Sequence, residues 1–263
     1  MNVALFCVFR NEHIYINEFI EHYLNLGFNH IYLIDNSSND KLDNILNPKF
    51  KSDVSIIDIR SENVIDNFLD YQIKLYTSLY NIFNFKYDWL AFFDIDEFLI
   101  LHKDNNIQEY LNRDIFKNVD QIHVNWIIFD DNDQLHYSPG SLIERFPRIS
   151  KKFYDLYGPN ANGVKSILRS NLDLKFLTMH TAISNTESKL ITTDNDGNSS
   201  DEYTSNHTNV FIEYAQLNHY ITKSTEEYLT KNRHNQWDFY EKYFQINEYT
   251  EEKAQMLEEL KSS

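Results

Sequence analysis

The feature that most restricts this chain is an alternation of strand-like and helix-like stretches across its first hundred residues. The short apolar run within Met1 to Arg10 reads as a buried strand. Ile16, Phe19, Ile20, Tyr23 and Leu24 then recur at the spacing of an amphipathic helix, which Gly27 ends. His30 to Ile34 is a second strand, running into Asp35-Asn36-Ser37-Ser38-Asn39-Asp40, a cluster of turn formers. A short helical stretch to Leu46, a break at Pro48, a β-rich Val54 to Ile59, a long helix from about Asp66 to Phe83 and a fourth strand, Trp89 to Phe93, continue the order. This alternation predicts an α/β fold with a central, mostly parallel sheet flanked by helices, and in such sheets ligands gather at the carboxyl ends of the strands. Further along, Gln121 to Phe129 reads as a strand, Tyr228 to Tyr243 and Thr250 to Leu260 as helices, and Thr192 to Ser205 as a mobile polar surface loop.

Composition narrows the function classes. With 263 residues, 42% of them apolar, the chain can bury a sizeable core and is expected to form one domain. Its 24 basic and 40 acidic residues leave a formal charge of -16, which repels nucleic acid and anionic membrane surfaces. A small anion such as a nucleotide diphosphate is still admissible where a bound cation outweighs the distant charge. The lone Cys7 cannot form an internal disulfide, and the opening apolar run is too short to span a membrane, so a cytoplasmic protein without an encoded anchor is expected. Sequons at Asn36, Asn198 and Asn206 read as chance matches in an Asn-rich chain.

The sharpest local signal is Trp89-Leu90-Ala91-Phe92-Phe93-Asp94-Ile95-Asp96-Glu97-Phe98-Leu99, an apolar strand that delivers carboxylates at its end. Hard divalent cations take oxygen ligands, and carboxylates at i and i+2 can meet one ion as a strand leaves its sheet. Such an ion would neutralise a diphosphate and stabilise it as a leaving group. Asp35, at the end of the second strand, can accept from a nucleobase imide or ribose hydroxyl, or start an Asx turn. Arg10, Asn11 and Glu12 end the first strand, where they reach a nucleotide or cap the following helix. Proton abstraction from an acceptor hydroxyl needs a positioned carboxylate, for which Asp130 and Asp131 are preferred and Glu144 is an alternative.

Taken together, Cys7-Val8-Phe9-Arg10-Asn11-Glu12, Tyr32 to Asp40 and Phe92 to Phe98 resemble the donor half of glycosyltransferase family 92 and its family 2-like relatives. Trp126-Ile127-Ile128-Phe129, Ser141 to Phe146, Lys165-Ser166-Ile167-Leu168-Arg169 ahead of His180, and Asn218 to Tyr228 are similar to successive later blocks of that family. The resemblance implies a GT-A (Rossmann-like) fold over residues 1–263, with a nucleotide-sugar half at 1–101, an acceptor and metal half at 102–230 and a helical tail at 231–263. It implies inverting transfer of a hexose, galactose favoured, from a UDP-sugar to a carbohydrate or other hydroxyl acceptor. Mn2+ or Mg2+ would sit at Asp94 and Asp96, with His180 and His219 as candidates to complete its sphere. Lys165, Arg169 and Lys223 are candidates to meet the diphosphate, or stand as ordinary solvated cations. One departure is Asp130-Asp131-Asn132-Asp133, which stands where the family has Gly-rich sequence and points to a different acceptor.

Other readings fit less well. A phosphatase with a nucleophilic Asp wants its motif on the first strand and a small or β-branched residue where Phe98 stands. A calcium loop at Asp194 lacks Gly at its sixth place and Glu at its twelfth. A non-catalytic carbohydrate-binding module is the alternative from another class and would use the abundant Tyr and Trp, although those side chains are equally what a core requires.

Overall fold

The computed structural model describes residues 1–39, 45–59, 68–158, 162–207, 209–232 and 239–259. Its strands are Val3–Phe9 (β1), His30–Asp35 (β2), Val54–Asp58 (β3), Trp89–Phe92 (β4), Glu97–Leu101 (β5), Gln121–Ile128 (β6), Asn162–Arg169 (β7), Leu174–Phe176 (β8), Ala182–Ser184 (β9), Thr192–Asp194 (β10), Ser199–Ser200 (β11), Asn206–His207 (β12) and Ala215–His219 (β13). The α-helices are Ile16–Asn25 (α1), Phe68–Phe83 (α2), Ile107–Leu111 (α3), Leu142–Arg145 (α4), Lys151–Tyr157 (α5), Thr225–Asn232 (α6), Phe239–Ile246 (α7) and Glu251–Glu259 (α8). No helix among the described residues is long and apolar enough to cross a membrane.

The chain divides into two compact units interleaved in sequence: residues 1–126 with 162–217, and residues 127–161 with 218–263. In the first, β3, β2, β1 and β4 lie side by side and parallel. All seven residues of β1 are buried, as expected of a strand covered on both faces. Phe6 shows why. Its ring stacks on Tyr32 of β2 at 4.8 Å and on Phe92 of β4 at 5.1 Å. Tyr76 and Tyr80 of α2 cover that aromatic row. Ile16, Phe19, Ile20 and Tyr23 form the buried stripe of α1, and Gly27, at φ 90°, supplies the left-handed residue that ends the helix.

Two features differ from the expected order. First, β7 enters antiparallel between β4 and β6, pairing Leu90 with Leu168 and Val124 with Lys165. Second, the stretch expected as a mobile loop, Thr192 to Ser205, contains β10 and β11, with Thr192 to Asn195 buried. Its polar side chains replace water as partners. Asp194 accepts from the backbone N–H groups of Asp196 and Asn198, and Asn195 donates to the carbonyls of Phe211 and Ala215. Turn chemistry is therefore compatible with burial wherever each backbone group is satisfied. The helical stretch expected before Leu46 falls mainly on residues 40–44, and the start of the long helix on 60–67, both outside the described residues. The expected helix at 228–243 is two helices, α6 and α7, flanking undescribed residues 233–238.

The second unit has its own core. Tyr228, Leu229, Tyr243 and Leu257 bring α6, α7 and α8 together. Arg145 is buried and bidentate to Glu227, at 3.0 and 2.5 Å, so neither charge is left uncompensated.

Candidate functional site

Three strand ends in the first unit carry the residues singled out in the sequence. After β1, Asn11 takes a left-handed φ of 56°, donates its backbone N–H to Ser38 Oγ at 2.9 Å, and accepts from the Asn39 N–H at 2.9 Å. The loops after β1 and β2 are thereby tied to each other. Asp35 is nearly buried, and its Oδ1 accepts from the Ser38 N–H at 2.8 Å. It is thus an Asx-turn starter, placed beside Phe9 in the parallel register. Arg10 is exposed next to these loops.

The third strand end is the most constrained. Asp94 to Asp96 leave β4 in a turn that β5 follows, and the turn is closed from both sides: the Glu97 N–H donates to the Asp94 carbonyl at 3.1 Å, and the Asp94 N–H donates to Glu97 Oε2 at 2.8 Å. Glu97 is fully buried, and that burial pushes its carboxyl well above the usual range. Asp96 is 2% exposed and Ile95, between the two aspartates, 1%. Lys165, reaching from β7, places its buried ammonium 2.7 Å from Asp94 Oδ2 and 3.9 Å from Glu97 Oε1. Burial alone would lower the lysine's affinity for its proton, but Asp94 and Glu97 outweigh it and hold the ammonium charged. Cys7, buried on β1, has its thiol pushed up by burial and by Asp94.

His180 stands near this pair. Its Nδ1 lies 3.0 Å from the Val164 carbonyl, an oxygen that only accepts, so Nδ1 carries the proton and Nε2 the lone pair. Burial, with the Lys165 charge, lowers its pKa to about 4 and keeps the ring neutral. Ser166 Oγ donates to the His180 carbonyl at 2.6 Å and lies 3.1 Å from Gln121 Oε1, which fixes the segment to β6 and β7. A neutral imidazole of fixed tautomer is the form that ligates metals.

Among the described residues no group of three His, Cys, Asp or Glu side chains converges tightly enough to hold an ion alone. The donor set nonetheless fits a hard cation of the Mg2+ or Mn2+ kind. Such ions are commonly held by one or two carboxylates, with phosphate oxygens and water filling the remaining positions.

The other singled-out residues lie in the second unit or are otherwise engaged. Asp131 is fully buried: its Oδ2 accepts from Tyr243 Oη at 2.5 Å and from Lys253 Nζ at 2.7 Å, and its N–H donates to Asn247 at 2.7 Å. Asp130 accepts from Arg148 Nε through both oxygens, at 2.9 and 2.8 Å, and burial still raises its carboxyl above the usual range. Arg148 also holds Asp133, whose carboxyl it lowers to about 2. His219 is buried, and its carbonyl accepts from the Phe129 N–H. Lys223 is buried at a left-handed φ of 55°. Glu144 is exposed on α4. Arg169 donates to the carbonyls of Val119 and Phe116 and stacks 4.3 Å from Trp89, which makes it a staple of the sheet end.

Sequence reasoning gave Lys165 the diphosphate as its partner and did not foresee the contact with Asp94 across 71 residues, nor the role of Glu97 in closing the turn. The signal for Glu97 was present. A carboxylate opening an apolar strand must be paired or neutralised when it is buried.

Residues 4–259 match the family model of glycosyltransferase family 92. No curated protein matches the chain. Among solved structures the chain is similar to glucosyl-3-phosphoglycerate synthase from Mycobacterium tuberculosis, solved in complex with Mn2+, UDP and glucosyl-3-phosphoglycerate, at 15% identity and a TM-score of 0.31. That likeness covers 48% of this chain and 44% of that one.

Proposed function

The chain belongs to glycosyltransferase family 92, and we propose that it moves a hexose, galactose favoured, from a UDP-sugar to a carbohydrate acceptor with inversion at the anomeric carbon. The observation that carries this reading is the Asp94 to Asp96 turn, locked by Glu97 and answered by the buried ammonium of Lys165. A cation bound by Asp94 and Asp96 would supply charge neutralisation for the departing diphosphate. Lys165 is already charged and desolvated, so it is suited to donate to phosphate oxygens when the donor enters. His180 Nε2, its lone pair fixed by the Val164 contact, is the candidate additional ligand, while His219 remains one by family position alone. Asp35, with Arg10 and Asn11 beside it, is assigned to nucleobase or ribose recognition.

Inversion needs a base that takes the acceptor's proton in line with the departing diphosphate. Of the two preferred aspartates, Asp130 suits this better. Asp131 is fully enclosed with Tyr243 and Lys253 on its Oδ2, whereas Asp130 keeps some exposure and its carboxyl, held by the half-exposed Arg148, is made more basic by burial.

Calorimetric titration with UDP tests the donor half. Binding is expected in Mn2+ and absent in EDTA, because a chain of charge -16 otherwise repels a diphosphate brought to Asp94. Equal affinity in both conditions overturns the cation's role.

A further inference from the structure

Every other residue of β6 is buried, but Trp126 is half-buried in mid-strand. In the antiparallel register Val124 faces Lys165, and side chains alternate along a strand, so Trp126 projects from the same face of the sheet as Lys165. There its indole lies directly over Gly163. A Cβ built at position 163 would meet the six-membered ring of Trp126 at 2.3 and 2.4 Å. Glycine weakens a strand interior, and here its missing side chain is what admits the ring. The indole and the His180 ring stand nearly perpendicular, with centroids 5.1 Å apart and planes at 84°. The ring is thus seated on bare backbone, braced by His180, and beside the strand position whose ammonium holds Asp94 at 2.7 Å.

We propose that Trp126, seated on Gly163 and braced by His180, is the platform on which the pyranose ring of the donor stacks. This rests on the reading of Asp94, Asp96 and Lys165 as the donor diphosphate site. The apolar C–H face of a pyranose complements the electron-rich face of an indole, and large aromatic side chains with few rotamers hold such a ring at low entropic cost. Trp126 would recognise the sugar and leave the nucleotide to the strand-end loops at Asn11 and Asp35.

The test compares UDP with UDP-galactose and UDP-glucose by calorimetry in Mn2+, on the wild type and on Trp126→Ala, Trp126→Phe and Gly163→Ala. Trp126→Ala should bind UDP within about twofold of the wild type and lose about tenfold in affinity for the UDP-hexose that the wild type prefers. Trp126→Phe should recover most of the loss. Gly163→Ala, which keeps the indole but displaces it, should reproduce the loss. Melting curves identify any variant that fails to fold, and the phenylalanine variant then carries the comparison. Equal losses for UDP and UDP-hexose, or no loss for either, overturn the platform while the diphosphate site stands. A wild-type protein that binds no UDP overturns the donor site, and the platform with it.

Discussion

The turn at Asp94 and Asp96 and the loop at Asp130 to Asp133 are both acidic runs at the end of an apolar strand, yet they are neutralised differently. In the first, Lys165 meets Asp94, whose side chain remains 28% exposed. In the second, Arg148 reaches Asp130, Asp131 and Asp133, and Lys253 and Tyr243 close on Asp131, which is 0% exposed. The first leaves a carboxylate open to an arriving ligand, whereas in the second the contacts of Asp131 fasten α7 and α8 to the loop. The motif alone does not separate the two. What separates them is the number of cations and donors the rest of the chain sends back.

The comparison can be broken at its two poles. Asp96→Asn should show the largest effect, a fall in turnover of roughly a thousandfold, because the amide keeps its volume but loses the charge that holds a cation against the diphosphate. The assay is release of UDP from the preferred UDP-hexose, with circular dichroism to verify the fold. Near wild-type rates would mean that the turn at Asp94 serves the fold and not the transfer. Asp131→Ala should act on stability instead, lowering the free energy of unfolding by about 1–3 kcal/mol, since it removes the nearer carboxylate from the buried ammonium of Lys253 and leaves it Asp133 and the Glu248 carbonyl. Urea denaturation measures this, and a change within experimental error would mean the contacts of Asp131 are dispensable.

A finer test separates Asp130 from its neighbour. Asp130→Asn should lower kcat by about a hundredfold with donor affinity unchanged, as for loss of a general base. The base must be deprotonated to act, and burial raises the Asp130 carboxyl. Activity should therefore fall with decreasing pH beginning above the range of an ordinary aspartate, and that acid limb should vanish in Asp130→Asn. A limb that persists in the variant belongs to another group.

Much of this architecture was legible because it depends on local periodicity. The buried stripe of α1, the continuous apolar runs of β1 and β4 and the strand-end position of Asp94 follow from spacing alone. Hidden features share a different cause. Lys165 meets Asp94 only because β7 returns antiparallel beside β4, and a pairing across 71 residues leaves no trace in any local window. Thr192 to Asn195 mislead for the reason given by Asp194 and Asn195: residues that usually mark a solvated loop are buried when they satisfy their own backbone. The loop at Asp130 shows the same limit, since Lys253 and Tyr243 arrive from the far end of the chain.

The late strand β7 also sets the order in which the molecule can be made. Until residues 162–169 are available, β4 presents an unpaired edge of Trp89, Leu90 and Ala91 next to an aromatic core, a surface open to pairing with other chains. Parallel strands β1 to β4 can assemble from the first hundred residues, but docking β7 closes a long loop, and such non-local closures slow folding. The turn at Asp94 acquires its lysine in that same step. A nascent chain halted before β7 would thus carry an uncompensated acidic turn and a sticky edge together, and both are removed when one strand docks.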